Sequence, residues 1–106
     1  MRVLFAQGTP VPLRRRLTLH EVVTAHERGW SQLKNGELLD SAEKEGFAVL
    51  VTSDANLKHQ QDLASRKLAI VVLTTTSCLR IQLIADDVVA AVDRVKPGGY
   101  VEVEVP

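Results

Sequence analysis

Phe47, Ala48, Val49, Leu50 and Val51 form an unbroken apolar run that stops at Thr52, Ser53, Asp54, Ala55 and Asn56. Such a run without alternation marks a central strand whose sheet is covered on both faces, the usual state of parallel strands in α/β proteins. Leu68 through Leu73 repeats the pattern. Ligands in open α/β folds gather at the carboxyl ends of strands. The polar residues that end the first run place Asp54 at that edge, as the leading candidate site residue.

The rest of the chain alternates strand and helix signals. A short strand spans residues 2–5, and a turn at Gln7, Gly8, Thr9 and Pro10 leads into a helix through about Leu17. Residues 20–24, rich in β-branched side chains, form a second strand. Residues 26–31 read as a loop broken by Gly29. A helix begins at Asn35 or Gly36, turns Leu38, Leu39 and Ala42 inward, and ends at Gly46. A broken helical stretch covers 55–65. Ile81, Ile84, Ala85, Val88, Val89 and Val92 then recur at helical spacing, predicting one long helix ending near Lys96. Pro97, Gly98 and Gly99 stop it. Residues 100–105 alternate strictly, with Glu102 and Glu104 on one face, as in an edge strand. The expected fold is a three-layer α/β/α domain with a mostly parallel five-stranded sheet, one domain over residues 1–106.

At 106 residues the chain suits a single domain. Aromatic residues make up only 4%, so the core rests on Val, Leu, Ile and Ala. The one cysteine, Cys78, excludes an internal disulfide and a cysteine-cluster zinc site, and reads as a small buried hydrophobe. No apolar run approaches the roughly 18 residues that span a bilayer. The start, running straight into Val3, Leu4 and Phe5, lacks a signal-peptide layout, so a cytoplasmic location and no membrane are expected. Net charge is zero but unevenly placed. Residues 1–36 carry six bases against Glu21 and Glu27, and the remainder seven bases against eleven acids. Arg14, Arg15 and Arg16 offer a local phosphate-binding patch for RNA. They equally suit a solvated helix end, where cations complement the dipole.

Candidate chemistry sits at the strand ends: Ala6 and Gln7; Thr52, Ser53, Asp54 and Asn56; Thr74, Thr75, Thr76 and Ser77. Glu37 lies in the first turn of the helix before strand three. If strands one and three are neighbours, Glu37 and Asp54 converge. Two carboxylates about 4 Å apart repel by roughly 4 kcal/mol at an effective dielectric near 20. Such a pair calls for a shared proton or a divalent cation. Oxygen ligands from Asp54, Glu37 and Asn56 suit Mg²⁺ or Mn²⁺, ions that polarise a phosphodiester and generate hydroxide. The plainer alternatives are an N-cap for Asp54, a dipole partner for Glu37 and a capping loop for residues 74–77. His20, His26 and His59 lack the spacing of a helical metal site and read as structural or exposed. Lys58, His59, Gln60 and Gln61 read as a solvated loop or a ligand-facing one. Trp30 either packs over helix ends, lids the cleft or meets a partner.

Four segments together resemble small bacterial PIN-like proteins over roughly residues 1–75. Residues 1–10 resemble their opening of apolar strand, acidic residues and proline, and His20, Glu21 and Val22 resemble their second strand. Asn35 through Leu39 is similar to their acidic helix start, and Phe47 through Leu57 to their strand ending in two aspartates. The resemblance implies an RNA-cleaving nuclease with Mg²⁺ or Mn²⁺, related to toxin components of toxin–antitoxin pairs. An antitoxin partner and a homodimer are implied with it. It places the family glutamate on Glu37, the aspartate after strand three on Asp54 and a second aspartate on Asn56. The acidic positions after strand one fall on Ala6 and Gln7, and fewer charged ligands imply weaker cation binding. Three functions follow: a ribonuclease of weakened or lost activity, a non-catalytic PIN-like module for protein or RNA, or another phosphate or nucleotide binder.

Overall fold

A computed structural model describes residues 2–6, 9, 11–17, 20–30, 32–33, 35–53, 67–74 and 78–104. Five strands, β1 (Arg2–Phe5), β2 (Glu21–Thr24), β3 (Val49–Thr52), β4 (Ala69–Leu73) and β5 (Tyr100–Val103), form one sheet in the order β2-β1-β3-β4-β5. Every neighbouring pair is parallel. The apolar runs of β3 and β4 fall in the sheet interior and are buried throughout. The alternating β5 lies at an edge, as its polar face requires.

Strand periodicity divides the core in two. Val3, Phe5, Val49, Val51, Ala69, Val71 and Leu73 point to one face, where they meet Leu13, Leu17, Ile81, Ala85, Val88 and Val92. Leu4, Leu50, Ile70 and Val72 point to the other, against Leu38, Leu39 and Ala42. A 3-10 helix (Val11–Arg16), α2 (Cys78–Leu83) and α3 (Ala85–Arg94) therefore cover the first face, and α1 (Asn35–Lys44) the second. This is the expected three-layer arrangement. The connections β2 to β3 and β4 to β5 advance in the same direction across the sheet but over opposite faces, so they have opposite hands. One of them belongs to the uncommon left-handed class.

Two helices differ from the sequence reading. The first is a 3-10 helix, not an α-helix; Leu17 N–H donates to Arg14 O at 3.1 Å, an i to i−3 bond. Pro12 removes a donor inside this short segment, which favours the tighter, briefer form. The long helix expected up to Lys96 is two helices. Ile84 leaves helical geometry (φ −118°, ψ 28°), and Ile84 N–H turns back to Ile81 O at 3.1 Å. Asp86 and Asp87 then occupy the first turn of α3, where carboxylates favour a helix start. α1 matches its reading: Leu38, Leu39 and Ala42 are buried, and Gly46 takes the left-handed conformation (φ 82°) just beyond the helix. Among the described residues no helix is long and apolar enough to cross a membrane.

Candidate functional site

Because all five strands are parallel, their carboxyl ends share one edge. Phe5 is in register with Thr24 on one side and Val51 on the other, which aligns the ends of β1, β2 and β3. The chain leaves β1 toward β2 and returns past it to β3, so the sheet changes direction between β1 and β3. Such a switch point opens a crevice at the carboxyl ends of the two strands. The neighbouring of strands one and three on which the sequence argument depended is therefore present.

This edge holds the buried polar side chains found among the described residues: Thr9, Thr24 and Thr52. A buried hydroxyl is tolerable when hydrogen-bonded. Thr9 Oγ1 donates to Val51 O at 3.0 Å, and Ala6 N–H donates to the same carbonyl at 2.9 Å. Thr9 N–H closes the turn onto Ala6 O at 3.1 Å. The turn after β1 is thus pinned to the end of β3. Thr24 and Glu27 cap each other, with Glu27 N–H donating to Thr24 Oγ1 at 3.1 Å and Thr24 N–H donating to Glu27 Oε1 at 3.0 Å. Thr9 and Thr24 escaped the sequence reading, because a lone threonine after a strand carries no spacing signal.

Glu37 lies at this same edge. The far end of α1 docks where β1 begins: the Arg2 guanidinium donates to Glu45 O, and Ala48 N–H donates to Arg2 O at 2.9 Å. A ten-residue helix is about 15 Å long, so its first turn, with an exposed Glu37, stands at the opposite, carboxyl end of the sheet. Ala6 is 8% exposed and contributes no side-chain oxygen. Ser53, half-buried, delivers the chain into residue 54. Asp54, Asn56, Gln7, the 58–61 stretch with His59, and residues 75–77 lie outside the described residues. Among the described residues no cluster of three His, Cys, Asp or Glu side chains is arranged to hold a metal.

The three arginines separate. Arg14 pairs with Glu27, and Arg16 with Asp86 at 2.5 Å, while Arg15 is exposed. Two of the three charges are therefore compensated within the chain. The backbone N–H of Thr24, followed by the Arg14 guanidinium, holds the Glu27 carboxyl below its ordinary value. A lowered folded-state pKa stabilises the fold above the ordinary carboxylate pKa, and the contribution disappears as pH falls through the lowered value. Glu27→Gln should accordingly be less stable than the wild type at neutral pH, with the gap closing in acid. Urea midpoints across a pH series check this; a gap independent of pH would contradict a charge-based role.

His20 and Trp30 are held by contacts within the chain. His20 Nε2 lies 2.6 Å from Asp93 Oδ1. A carboxylate only accepts, so Nε2 carries the proton, and the buried Nδ1 has no hydrogen-bond partner among the described residues. His26 is exposed. Trp30 packs edge-on against Phe47, with centroids 6.1 Å apart, and Arg28 stacks over its ring. That is the packing alternative for Trp30. No family model, curated protein or solved structure matches the chain.

Proposed function

We propose that this chain is a small PIN-like domain that engages RNA at the carboxyl edge of β1 and β3, as a metal-dependent ribonuclease whose cleavage is weakened or lost. One observation carries the reading: Glu37 and the exit of β3 toward Asp54 share the edge where the sheet changes direction. Asp54, Glu37 and Asn56 form the donor set for Mg²⁺ or Mn²⁺. The ion, when bound, would offset phosphodiester charge and acidify a water. The chain's own part is to fix the carboxylates: the turn after β1 is bonded to Val51 O, and α1 presents Glu37 from a packed helix. A cytoplasmic toxin component with an antitoxin partner fits this reading.

Ala6 favours a second reading, a non-catalytic PIN-like module. It occupies the end of β1 with a buried methyl group, where the resemblance expects a carboxylate.

An RNA-cleavage assay in Mn²⁺ divides the two. Under the first reading the wild type cleaves slowly, and Asp54→Asn, a change of nearly equal size and shape that removes the charge, abolishes cleavage while leaving the fold intact. Equal activity in both proteins would reject the catalytic assignment, and activity in neither supports the module.

A further inference from the structure

We propose that the groove between α3 and β5 binds a short unblocked peptide, held by its ammonium on Asp87 and by its carboxylate on Arg94. The groove measures about 410 Å³, a volume suited to a small ligand, and is lined by Asp87, Ala90, Ala91, Arg94, Val95 and Val101. Asp87, Ala91 and Arg94 are spaced by four and three residues, so they form one stripe along α3. Val101 belongs to β5 and packs on the sheet face that α3 covers. The sheet ends at β5, which leaves this flank of α3 open. In the sheet order β5 stands two places from β3, so the groove is distinct from the β1–β3 edge.

The charges say what fits there. Ala90, Ala91, Val95 and Val101 are half-buried and form an apolar floor, with the exposed Asp87 and Arg94 at its two ends. Ion pairs within a helix join residues three or four apart. Between these two charges, those positions hold Ala90 and Ala91. Neither charge is ion-paired among the described residues. Seven residues apart on a helix, they stand about 10 Å from each other along its axis. An extended peptide of three residues also spans about 10 Å. Its terminal ammonium donates to the Asp87 carboxylate, and its terminal carboxylate accepts two N–H bonds from the Arg94 fork. Small apolar side chains between the two ends cover the alanines and valines. A nucleic acid strand fits poorly, because Asp87 repels phosphate and the floor side chains donate no hydrogen bond.

Amide NMR titration with the tripeptide alanyl-valyl-alanine tests this. The signals of Ala90, Ala91, Val95 and Val101 should shift on addition of the peptide. The unblocked peptide should bind at least about tenfold more tightly than its N-acetylated, C-amidated form, since each blocked end loses a charge-assisted pair. Asp87→Asn should bind the unblocked peptide no better than the wild type binds the N-acetylated one. Arg94→Gln should likewise bind it no better than the wild type binds the C-amidated one. Both substitutions change exposed side chains with little change of size, and circular dichroism verifies that each variant is folded. No shift at the groove in excess peptide, equal binding of the blocked and unblocked forms, or an affinity indifferent to both substitutions would overturn the proposal.

Discussion

Phe5→Ala should lose about 3–5 kcal/mol of stability, the range for truncating a buried phenylalanine. Phe5 is 1% exposed and among the largest fully buried side chains. It lies on β1, between β2 and β3, and belongs to the core cluster that includes Leu13 and Leu17 of the 3-10 helix. Its removal leaves a cavity that strands held on both sides cannot readily close. A domain of this size has roughly 5–15 kcal/mol in total, so this change alone brings it near its limit. Urea denaturation should show a large fall in midpoint with an unchanged slope. A loss below about 1 kcal/mol would mean that the sheet does not close over Phe5 as described.

The central layer was legible because burial on both faces leaves a direct mark on sequence. Leu50 and Ile70 had to be apolar in company with both neighbours, which excluded an alternating surface strand. Leu38, Leu39 and Ala42 were legible through helical spacing, and Gly46 because only glycine readily takes the conformation found there. The break at Ile84 was not. Ile81, Ala85, Val88 and Val92 stay buried at spacings of four, three and four across it, so the apolar period continues while the backbone does not. The exposure of Leu79 and Leu83 was hidden for the same reason. Periodicity gives the inward face of a helix, not whether a neighbour covers its outward one.

The pairing of distant charges was equally hidden. His20 and Asp93 are 73 positions apart, and Arg16 and Asp86 70. No local spacing encodes such contacts, which follow from the 3-10 helix, α2 and α3 sharing one face. At the candidate site, the strand signals gave β1 and β3 themselves but not their adjacency, which entered only as a condition and is shown by the sheet order. Glu37 was inferable from its place in a helix's first turn. The threonine bonds that stiffen the edge depend on backbone carbonyls, which sequence does not distinguish.

Ala6→Asp should have the other large effect. At 8% exposure, a carboxylate there enters a largely buried position. Without divalent metal the variant should lose about 1–3 kcal/mol or more, the cost of a buried unsatisfied polar or charged group. Mn²⁺ at about one hundred times its dissociation constant should return about 2.7 kcal/mol, by linkage. The wild type should gain much less at the same concentration. Thermal melts with and without Mn²⁺ show whether stability lost at this position is recovered by metal.

The most direct test of the proposed cation site is calorimetric titration of Mn²⁺ into the wild type, Ala6→Asp, and Ala6→Asp combined with Asp54→Asn. The wild type should bind weakly. Ala6→Asp should bind at least about tenfold more tightly, a difference of about 1.4 kcal/mol, and the added Asp54→Asn should remove most of that gain. Equal affinity for the wild type and Ala6→Asp would contradict a cation site between the ends of β1 and β3.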